Sequence, residues 1–538
     1  MTSASEVRRL WQKMDTLSQK AVAAAYHNEG VFDSDAFIAQ YGSLPPRPRP
    51  KYNWSWQEQY ILFDLFVAQG RIHAEVMPLL EGLAPPPERF QISGVAEDPP
   101  PPVRHKQILP TQKALREEAG HRDLLTFLGL LARGELKLSN SSLRLTPKSV
   151  ATLLPRLAAG DFDMSAEKAD ETIICFGLTT FAYQAGLIDK GGEVLPLGRQ
   201  YLATEDPALL LQAVENWCEA DAFDEITRIS AIRGLRARGV RFTPLSERRS
   251  KIVEALSWCP TGVWISVSDF LRGLKIWHFD FPIESEGSQH LYVGFSDYSR
   301  YGSWAPSPDM WLLTTGLYTM AVLWETLASI GALDIIYTDY QMGTLSVEVY
   351  GYDEVCFSAY DGLLHFRITP LGAFLFGQAD AYTPAGAADP ALFSLSPAGR
   401  LTILQPQALT VAHQVQLEQI ADPVGDGYQL SAAKLLQALE ASPTLETQRV
   451  FLEQRHRGPL PAEIVALFDR VEADSKALTI QAKSLTIRVR SAEIAQKVLD
   501  DPVAGKIARR LDDRTLIIPA SRERAFRQAL HQVGYGLA

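Results

Sequence analysis

The sequence predicts an α+β protein of several domains that is mostly helical, with repeated helix–hairpin units and a C-terminal α+β domain. Three observations predict this class. A helix, a glycine and an alternating hairpin recur three times along the chain. From Phe393 onward the pattern predicts one strand, then four helices, then further strands and helices. The chain has 538 residues, whereas one domain has about 100–200.

Composition places the chain among ordinary globular proteins, with 46% hydrophobic and 21% charged residues. The net charge of −11 argues against a protein that coats nucleic acid or acidic membranes over its whole surface, but a local basic site stays open. The longest uncharged stretch, 172–188, is shorter than the ~20 apolar residues of a membrane helix, and the N-terminus has no apolar signal segment. We therefore expect a soluble cytoplasmic protein without membrane partners.

The first 110 residues divide into a helical region and a linker. Helical patterns over 4–40 and 55–83, separated by the prolines of 45–50, predict an N-terminal helical region, 1–83. Residues 84–110 contain many prolines, which lack an amide donor and fix φ. This segment is predicted to be an extended linker.

The three repeats follow the linker. Their predicted helices are 122–132, 171–185 and 316–330, and each helix is followed by a glycine: Gly134, Gly186 and Gly331. The second and third copies also share an Asp that opens the hairpin and a Pro-Leu-Gly that closes it. A helix ended by a left-handed glycine and followed by a hairpin and a cap is the closing half of a winged helix. Such units insert the helix before the wing into the DNA major groove, bind proteins, or are structural, and all three alternatives stay open.

These patterns predict seven segments in chain order. They are an N-terminal helical region (1–83), a linker (84–110), a winged-helix-like unit (111–160), a winged helix (161–227), a basic and tryptophan-rich helical region (228–309), a winged helix with a long wing (310–380) and an α+β domain (393–538). Between the second and third repeats, helices are predicted near 207–220 and 247–258, and the long wing is predicted to return through a strand near 346–350. In the last domain, helices are predicted near 409–421 and 445–457 and a strand over 477–482, with Ser491 and Ser521 as the N-caps of two later helices.

Motifs of catalysis are missing from the sequence. It has no phosphate-binding loop, HExxH, GxSxG or GxGxxG, and its histidines have no ligand spacing. The four cysteines form no CxxC and are expected to be buried and reduced. We therefore expect no enzymatic activity, no cofactor and no metal, with an enzyme whose site is invisible to motifs as an alternative.

The strongest charge feature is the segment 228–251, which has a net charge of +7. Arginine forks match phosphate oxygens, so the cluster is a candidate nucleic-acid site. Its candidate phosphate contacts are Arg228, Arg233, Arg236, Arg238, Arg241, Arg248 and Arg249. The alternative is that these arginines pair with the acids just upstream, namely Glu215, Glu219, Asp221, Asp224 and Glu225.

Weaker candidates lie in the wings and in an aromatic run. Lys137 and Arg144 of the first wing and Lys190 of the second are possible further phosphate contacts. Aromatic residues recur every three positions over 292–304, where they either stack on bases or belong to the core. Residues 445–538 have 16 basic and 12 acidic residues, a second and milder basic bias.

The C-terminal region resembles the N-terminal domain of XPB-type helicases, in the form found in bacterial helicase-associated proteins. The resemblance is based on the segment GRLTILQP at 399–406, on residues 428–431, 435–439, 451–454 and 458–464, and on Leu530, Gly534 and Tyr535. The segments 186–188 and 366–372 look like the upstream winged-helix part of the same family.

The resemblance implies work on DNA, such as repair or genome maintenance, as a DNA-binding protein or a partner of a helicase. This chain lacks every motor motif, so helicase activity is not carried over. The expected partners are DNA, double-stranded rather than single-stranded, and a helicase or other DNA-processing protein. The alternative is a protein–protein scaffold or regulatory subunit whose winged helices bind a partner protein.

Overall fold

A computed structural model describes residues 3–48, 60–104, 106–139, 142–285, 290–293, 311–339, 357–383, 391–406, 409–441, 444–475 and 483–537. The chain combines many helices with small antiparallel sheets, as the α+β prediction requires. It forms two compact units. The larger unit comprises Met1–Leu395, Leu401–Tyr428 and Glu446–Pro459, and the smaller comprises Ser396–Arg400, Gln429–Leu445 and Leu460–Ala538. The division into seven segments stays a prediction.

The N-terminal region is helical only in its first half. Its helices are Ala4–Lys13, Thr16–His27 and Ser34–Tyr41, and they start at Ser3, Asp15 and Asp33, whose side chains accept backbone N–H groups. The helix predicted over 55–83 is wrong for the described residues 60–83. They form 3₁₀ turns at Leu62–Leu65 and Met77–Leu80 and a hairpin of Val67–Ala68 with Arg71–Ile72.

A tight turn explains why this helix does not form. Gln69 and Gly70 both have positive φ, 52° and 74°, the conformation of a two-residue hairpin turn and not of a helix. The hairpin lets Val67 and Ile72 join the core of the N-terminal helices, where Phe63, Phe66 and Leu80 are also buried.

The helix, glycine and hairpin elements of the three repeats are present in the larger unit. Repeat 1 has the helix Glu117–Ala132 and the bridge Leu138↔Leu145; repeat 2 has the helix Ile174–Gln184 and the bridge Ile188↔Val194. Repeat 3 has the π-helix Leu312–Gly316, the α-helix Leu317–Ala321, the π-helix Val322–Ala328 and the strands Leu333–Tyr337 and Leu363–Ile368. The predicted return strand near 346–350 lies outside the described residues.

A helix also closes each hairpin: Pro147–Leu153, Pro196–Thr204 and Pro370–Leu375. The three glycines that end the preceding helices have φ values of 71°, 73° and 88°, which favour glycine over any residue with a Cβ. The shared Asp of the second and third copies supports its hairpin in both. Asp189 accepts the N–H groups of Gly191 and Glu193, and Asp334 pairs with Arg367 directly across the two strands.

The three repeats share one hydrophobic core. The helix of repeat 2 lies so close to the helix of repeat 3 that a Cβ on Gly177 would stand 1.7 Å from the carbonyl oxygen of Glu325. Gly120 of repeat 1 similarly leaves no room beside the backbone of Gly331. The four-stranded sheet of this core is antiparallel, with the order Gln112–Ala114, Leu333–Tyr337, Leu363–Ile368 and Ile265–Ser266.

The remaining helices of the larger unit connect or follow the repeats. They are Pro207–Glu219, Leu245–Ser257, Val267–Ile276, Val411–Ile420 and Glu446–Arg455. The predicted helices near 207–220, 247–258, 409–421 and 445–457 are thereby confirmed. Short strands lie at Val103–Arg104, Gln107–Ile108, Ile232–Arg233, Tyr292–Val293, Phe393–Leu395, Arg400–Ile403, Ala421–Val424 and Gly427–Leu430.

The smaller unit ends in a three-stranded sheet with helices on one face. Its helices are Ala432–Ala441, Ala462–Asp474, Ala492–Asp500, Ala504–Ile507 and Glu523–Val533, and its strands are Ser484–Arg488, Arg509–Asp512 and Thr515–Pro519. Ser491 is an N-cap, as predicted, because its hydroxyl accepts the N–H of Ile494. Ser521 is not, because it lies in a 3₁₀ turn before the last helix. The strand predicted over 477–482 lies outside the described residues.

One carboxylate connects repeat 2 to the last helices of the larger unit. Glu205 follows the helix Pro196–Thr204 with a φ of 53°, and its Oε1 lies 2.8 Å from Nε2 of His413 and 3.2 Å from Nη2 of Arg455. Nε2 of His121 lies near the other carboxylate oxygen of Glu205, Oε2. Burial alone would raise the pKa of Glu205, but the hydrogen bonds from His121 and His413 and the charge of Arg455 hold it well below its usual value.

Replacing Glu205 by Gln should therefore destabilise the protein in a pH-dependent way. A carboxyl with a lowered pKa in the folded state stabilises the fold above its unfolded pKa of about 4.5, and this stability is lost as the pH falls. We expect Glu205→Gln to lose about 2–4 kcal/mol at pH 7 and the difference from wild type to narrow toward pH ~3. Unfolding followed by circular dichroism measures both values. Glu97→Gln, at an exposed position, is the control; a difference that stays constant with pH would contradict the role of Glu205.

Candidate nucleic-acid interface

Three of the seven clustered arginines are inside the protein. Arg249 is 0% exposed, and its Nε donates to Oε1 of Glu225 at 3.0 Å. Its other donors bind the side chain of Gln184 and backbone carbonyls of the segment around 217–223. A guanidinium has five N–H donors, and these contacts provide an acceptor for each of them. Arg249 therefore has no donor to offer a phosphate.

Arg248 and Arg228 are held in the same manner. Arg248 is 1% exposed and binds Asp224 with both terminal nitrogens, at 3.0 and 2.6 Å. Arg228 donates from Nε to the buried Glu325 at 2.8 Å. A nucleic-acid surface cannot include these three arginines, so the candidate site must be corrected. The pairing alternative is realised in two cases, since Asp224 and Glu225 are among the upstream acids.

Glu325, the carboxylate that pairs with Arg228, has an unusually high pKa. Glu325 lies in the π-helix Val322–Ala328 and also accepts the hydroxyl of Tyr360. Burial raises the pKa of Glu325 to about 7, although Arg228 and the Tyr360 hydroxyl act in the opposite direction. The group is fully enclosed by core side chains, which fits a structural pair.

The other four arginines lie on one exposed loop, 233–241, which we call the arginine loop. Arg233, Arg236, Arg238 and Arg241 are all exposed, and the nine residues contain no acid. The loop is fixed at both ends, because Ile232–Arg233 pairs with Tyr292–Val293 and Phe242 bridges to Glu284. This arrangement presents several guanidinium groups on a defined backbone.

Glycine is required where the arginine loop begins. Gly234 has a φ of 88°, and a Cβ there would stand 2.0 Å from the carbonyl oxygen of His290. Glu284 accepts the backbone N–H groups of His290 and Leu291 and so holds the segment that faces the loop. The arginine loop therefore has a fixed conformation before any ligand binds.

The three basic residues of the wings are all exposed, but Arg144 differs from the two lysines because it pairs with a carboxylate. Lys190 lies at the tip of the second hairpin and Lys137 on the first, where it borders an open groove together with Lys148 and Arg156. Arg144 is about half exposed and pairs with Asp170 at 2.8 Å. Lys190 and Lys137 stay candidate contacts, whereas Arg144 already has a carboxylate partner.

The helices before the wings of repeats 2 and 3 have almost no exposed surface. Every residue of 313–328 in repeat 3 is buried, as is every residue of Ile174–Gln184 in repeat 2 except Tyr183. The helix of repeat 1 is partly exposed, and its only lysine or arginine is Arg122, which approaches Glu118. The helices of repeats 2 and 3 therefore present no exposed face to a DNA major groove, whereas groove reading by the helix of repeat 1 stays a prediction.

An aromatic groove is the surface feature that sequence reasoning missed. Trp258 is 54% exposed, and its ring lies 5.7 Å from that of Trp277 and 5.0 Å from that of Phe279. Trp277 also contacts Phe90 from the proline-rich segment, which lines the same groove. The concentration of tryptophan between 258 and 324 was the available signal. Of the aromatic run over 292–304, only Tyr292 is among the described residues.

The described part of the chain contains no group of three or more His, Cys, Asp or Glu side chains placed to hold a metal ion. None of its helices is both long and apolar enough to cross a bilayer.

No model of a known protein family matches the sequence, and no curated protein is significantly similar to it. The likeness to XPB-type N-terminal domains therefore stays a prediction. The function has to be inferred from the surface itself.

The two environments of the arginines predict two different responses to substitution. Arg249→Met leaves the buried Glu225 without its cationic partner, and we expect it to lower the free energy of unfolding by about 3–5 kcal/mol. Arg236→Met makes the same chemical change on the exposed loop, and we expect an effect within about 0.5 kcal/mol. Thermal unfolding of both variants measures the difference, and equal losses would contradict the assignment of Arg249 to the core.

Proposed function

We propose that the protein is a non-catalytic, cytoplasmic accessory protein that binds duplex DNA through the arginine loop. It would act in DNA transactions such as repair or genome maintenance, alone or beside a helicase. The observation that supports the proposal is the group of exposed arginines on a fixed, acid-free loop of a chain whose net charge is −11. Several exposed arginines without an intervening acid create a local positive potential that attracts phosphate groups.

The chemistry of the loop suits phosphate and not base edges. Arginine forks bind phosphate oxygens with paired hydrogen bonds, and each neutralised phosphate releases counterions from DNA. The helices of repeats 2 and 3, which precede their wings, are buried and cannot read bases. Binding should therefore depend little on DNA sequence and strongly on salt, with Lys190 and Lys137 as secondary contacts.

The loop can be tested by removing three arginines together. We expect Arg233→Ala, Arg236→Ala and Arg238→Ala in one variant to weaken duplex binding and to reduce the slope of log K against log[salt] by up to about 2.7, or ~0.9 for each lost phosphate contact. Fluorescence anisotropy with a labelled duplex at several salt concentrations gives both quantities.

The matched control removes three exposed cations from the first helix: Arg8, Arg9 and Lys13. The change in net charge is the same, but we expect the salt slope to stay near that of wild type. If the control and loop variants lose affinity equally, long-range charge and not the loop governs binding, and the proposal is wrong.

The aromatic groove favours a second candidate function, a scaffold that binds a partner protein. A half-exposed tryptophan beside two further aromatic rings is typical of protein-binding surfaces. Wild-type protein that fails to bind duplex DNA even at low salt would favour this function. Co-elution with a motor ATPase in the absence of nucleic acid would support it directly.

A further inference from the structure

The C-terminal sheet of the smaller unit has one covered face and one open face. Its strand order is Ser484–Arg488, Thr515–Pro519, Arg509–Asp512, all antiparallel. Leu516 and Ile518 point to the covered face, where they are buried with Phe526 and Leu530 of the last helix. Since side chains alternate along a strand, Thr515, Ile517 and Pro519 point to the opposite face.

The register assigns the arginines of the sheet to its two faces. Ile517 lies opposite Thr486 on one side and opposite Arg509 on the other, so these three residues form a row across the open face. Arg488 lies opposite Thr515 in the next row. Arg510 lies opposite the buried Leu516 and donates to Gln496 of the helix Ala492–Asp500, so it belongs to the covered side.

The open face therefore has two arginines with hydroxyl groups beside them. Arg488, Thr486 and Arg509 are all exposed. Strand spacing places Arg488 and Arg509 on a diagonal, roughly 12 Å apart at their Cα atoms. Arginine together with serine and threonine hydroxyls is the usual donor set for nucleic-acid phosphates.

One acid limits the positive charge of this face. Asp512 lies opposite Thr515, and hydrogen bonds from Arg514 and Thr515 and the charge of Arg488 lower its pKa. The surrounding charge is nevertheless positive. Residues 483–537 contain eleven Lys and Arg against six Asp and Glu, a net charge of +5, so the rest of the −11 chain carries −16.

We propose that this open sheet face binds single-stranded nucleic acid along its phosphate backbone. A flexible strand can follow a diagonal across a surface only three strands wide, whereas a rigid duplex would touch it along a narrow line. Ile517 at the centre supplies an apolar contact for a base. The described face has no aromatic residue, so recognition rests on phosphate and tolerates any base sequence. This site extends the proposed function and can fail independently of the arginine loop.

The test measures binding of the full-length chain to a labelled oligothymidylate of about 15 nucleotides, close to the upper site size of sheet-based binders. At about 50 mM salt we expect the double variant Arg488→Ala/Arg509→Ala to bind roughly five- to tenfold more weakly, with a salt slope reduced by about 1.4. The control is Arg510→Ala/Arg524→Ala, which removes the same charge from the covered side and the last helix. It should stay within about twofold of wild type.

A substitution of Asp512 should strengthen binding of the oligonucleotide, whereas the loss of the arginines should weaken it. Asp512→Asn keeps an acceptor for the N–H of Arg514 but removes the negative charge beside Arg488. It should tighten binding by about two- to threefold. Asp500→Asn, on the helix that covers the other face, makes the same charge change and should have little effect.

Several results would overturn this inference. They are failure of the wild type to bind the oligonucleotide, equal binding by the Arg488/Arg509 variant and wild type, and equal competition by polyglutamate, which would point to an acidic polypeptide. In parallel, duplex binding is compared between the wild type and the arginine-loop variant. If Arg488→Ala/Arg509→Ala does not weaken single-strand binding while the arginine-loop variant still weakens duplex binding, only the sheet site is rejected. If the arginine-loop variant does not weaken duplex binding, the proposed function is rejected.

Discussion

An ionised guanidinium inside a protein needs a carboxylate or several carbonyl groups around it, because an unpaired buried charge costs many kcal/mol. This constraint organises the larger unit. Arg249 fixes the helix Leu245–Ser257 to Glu225, and Arg228 pairs with Glu325 in the π-helix Val322–Ala328 of repeat 3. Arg116 joins repeat 1 to repeat 3, since its guanidinium pairs with Asp123 while its backbone N–H binds Asp334. These pairs connect the three repeats, which share one hydrophobic core.

Much of the local structure could be predicted, because local chemistry determines it. A left-handed glycine ends the helix in each of the three repeats, so the repeats were visible as helix, glycine and hairpin. Ser491 starts a helix because its hydroxyl reaches the amide three residues on. Where the prediction failed, a competing local signal was overlooked: the turn at Gln69 and Gly70 converts an apolar helical spacing into a hairpin.

Burial of the arginines could not be predicted in the same way. Arg236 and Arg249 belong to one basic segment, and nothing in their spacing distinguishes the exposed residue from the buried one. The difference depends on partners far away in sequence, such as Glu325 for Arg228. Likewise, the all-round burial of the repeat 2 and repeat 3 helices follows from contacts between repeats, including the backbone approach at Gly177.

The functional interpretation depends on which of these arginines are buried and which are exposed. The accessibility of each guanidinium group can be measured directly. Arginine modification by phenylglyoxal in the native state, followed by mass spectrometry of the peptides, reports how accessible each guanidinium is. Arg233, Arg236 and Arg238 should react rapidly, while Arg228, Arg248 and Arg249 stay protected until the protein is unfolded. Rapid native-state modification of Arg248 and Arg249 would contradict the buried ion pairs and return them to the candidate DNA surface.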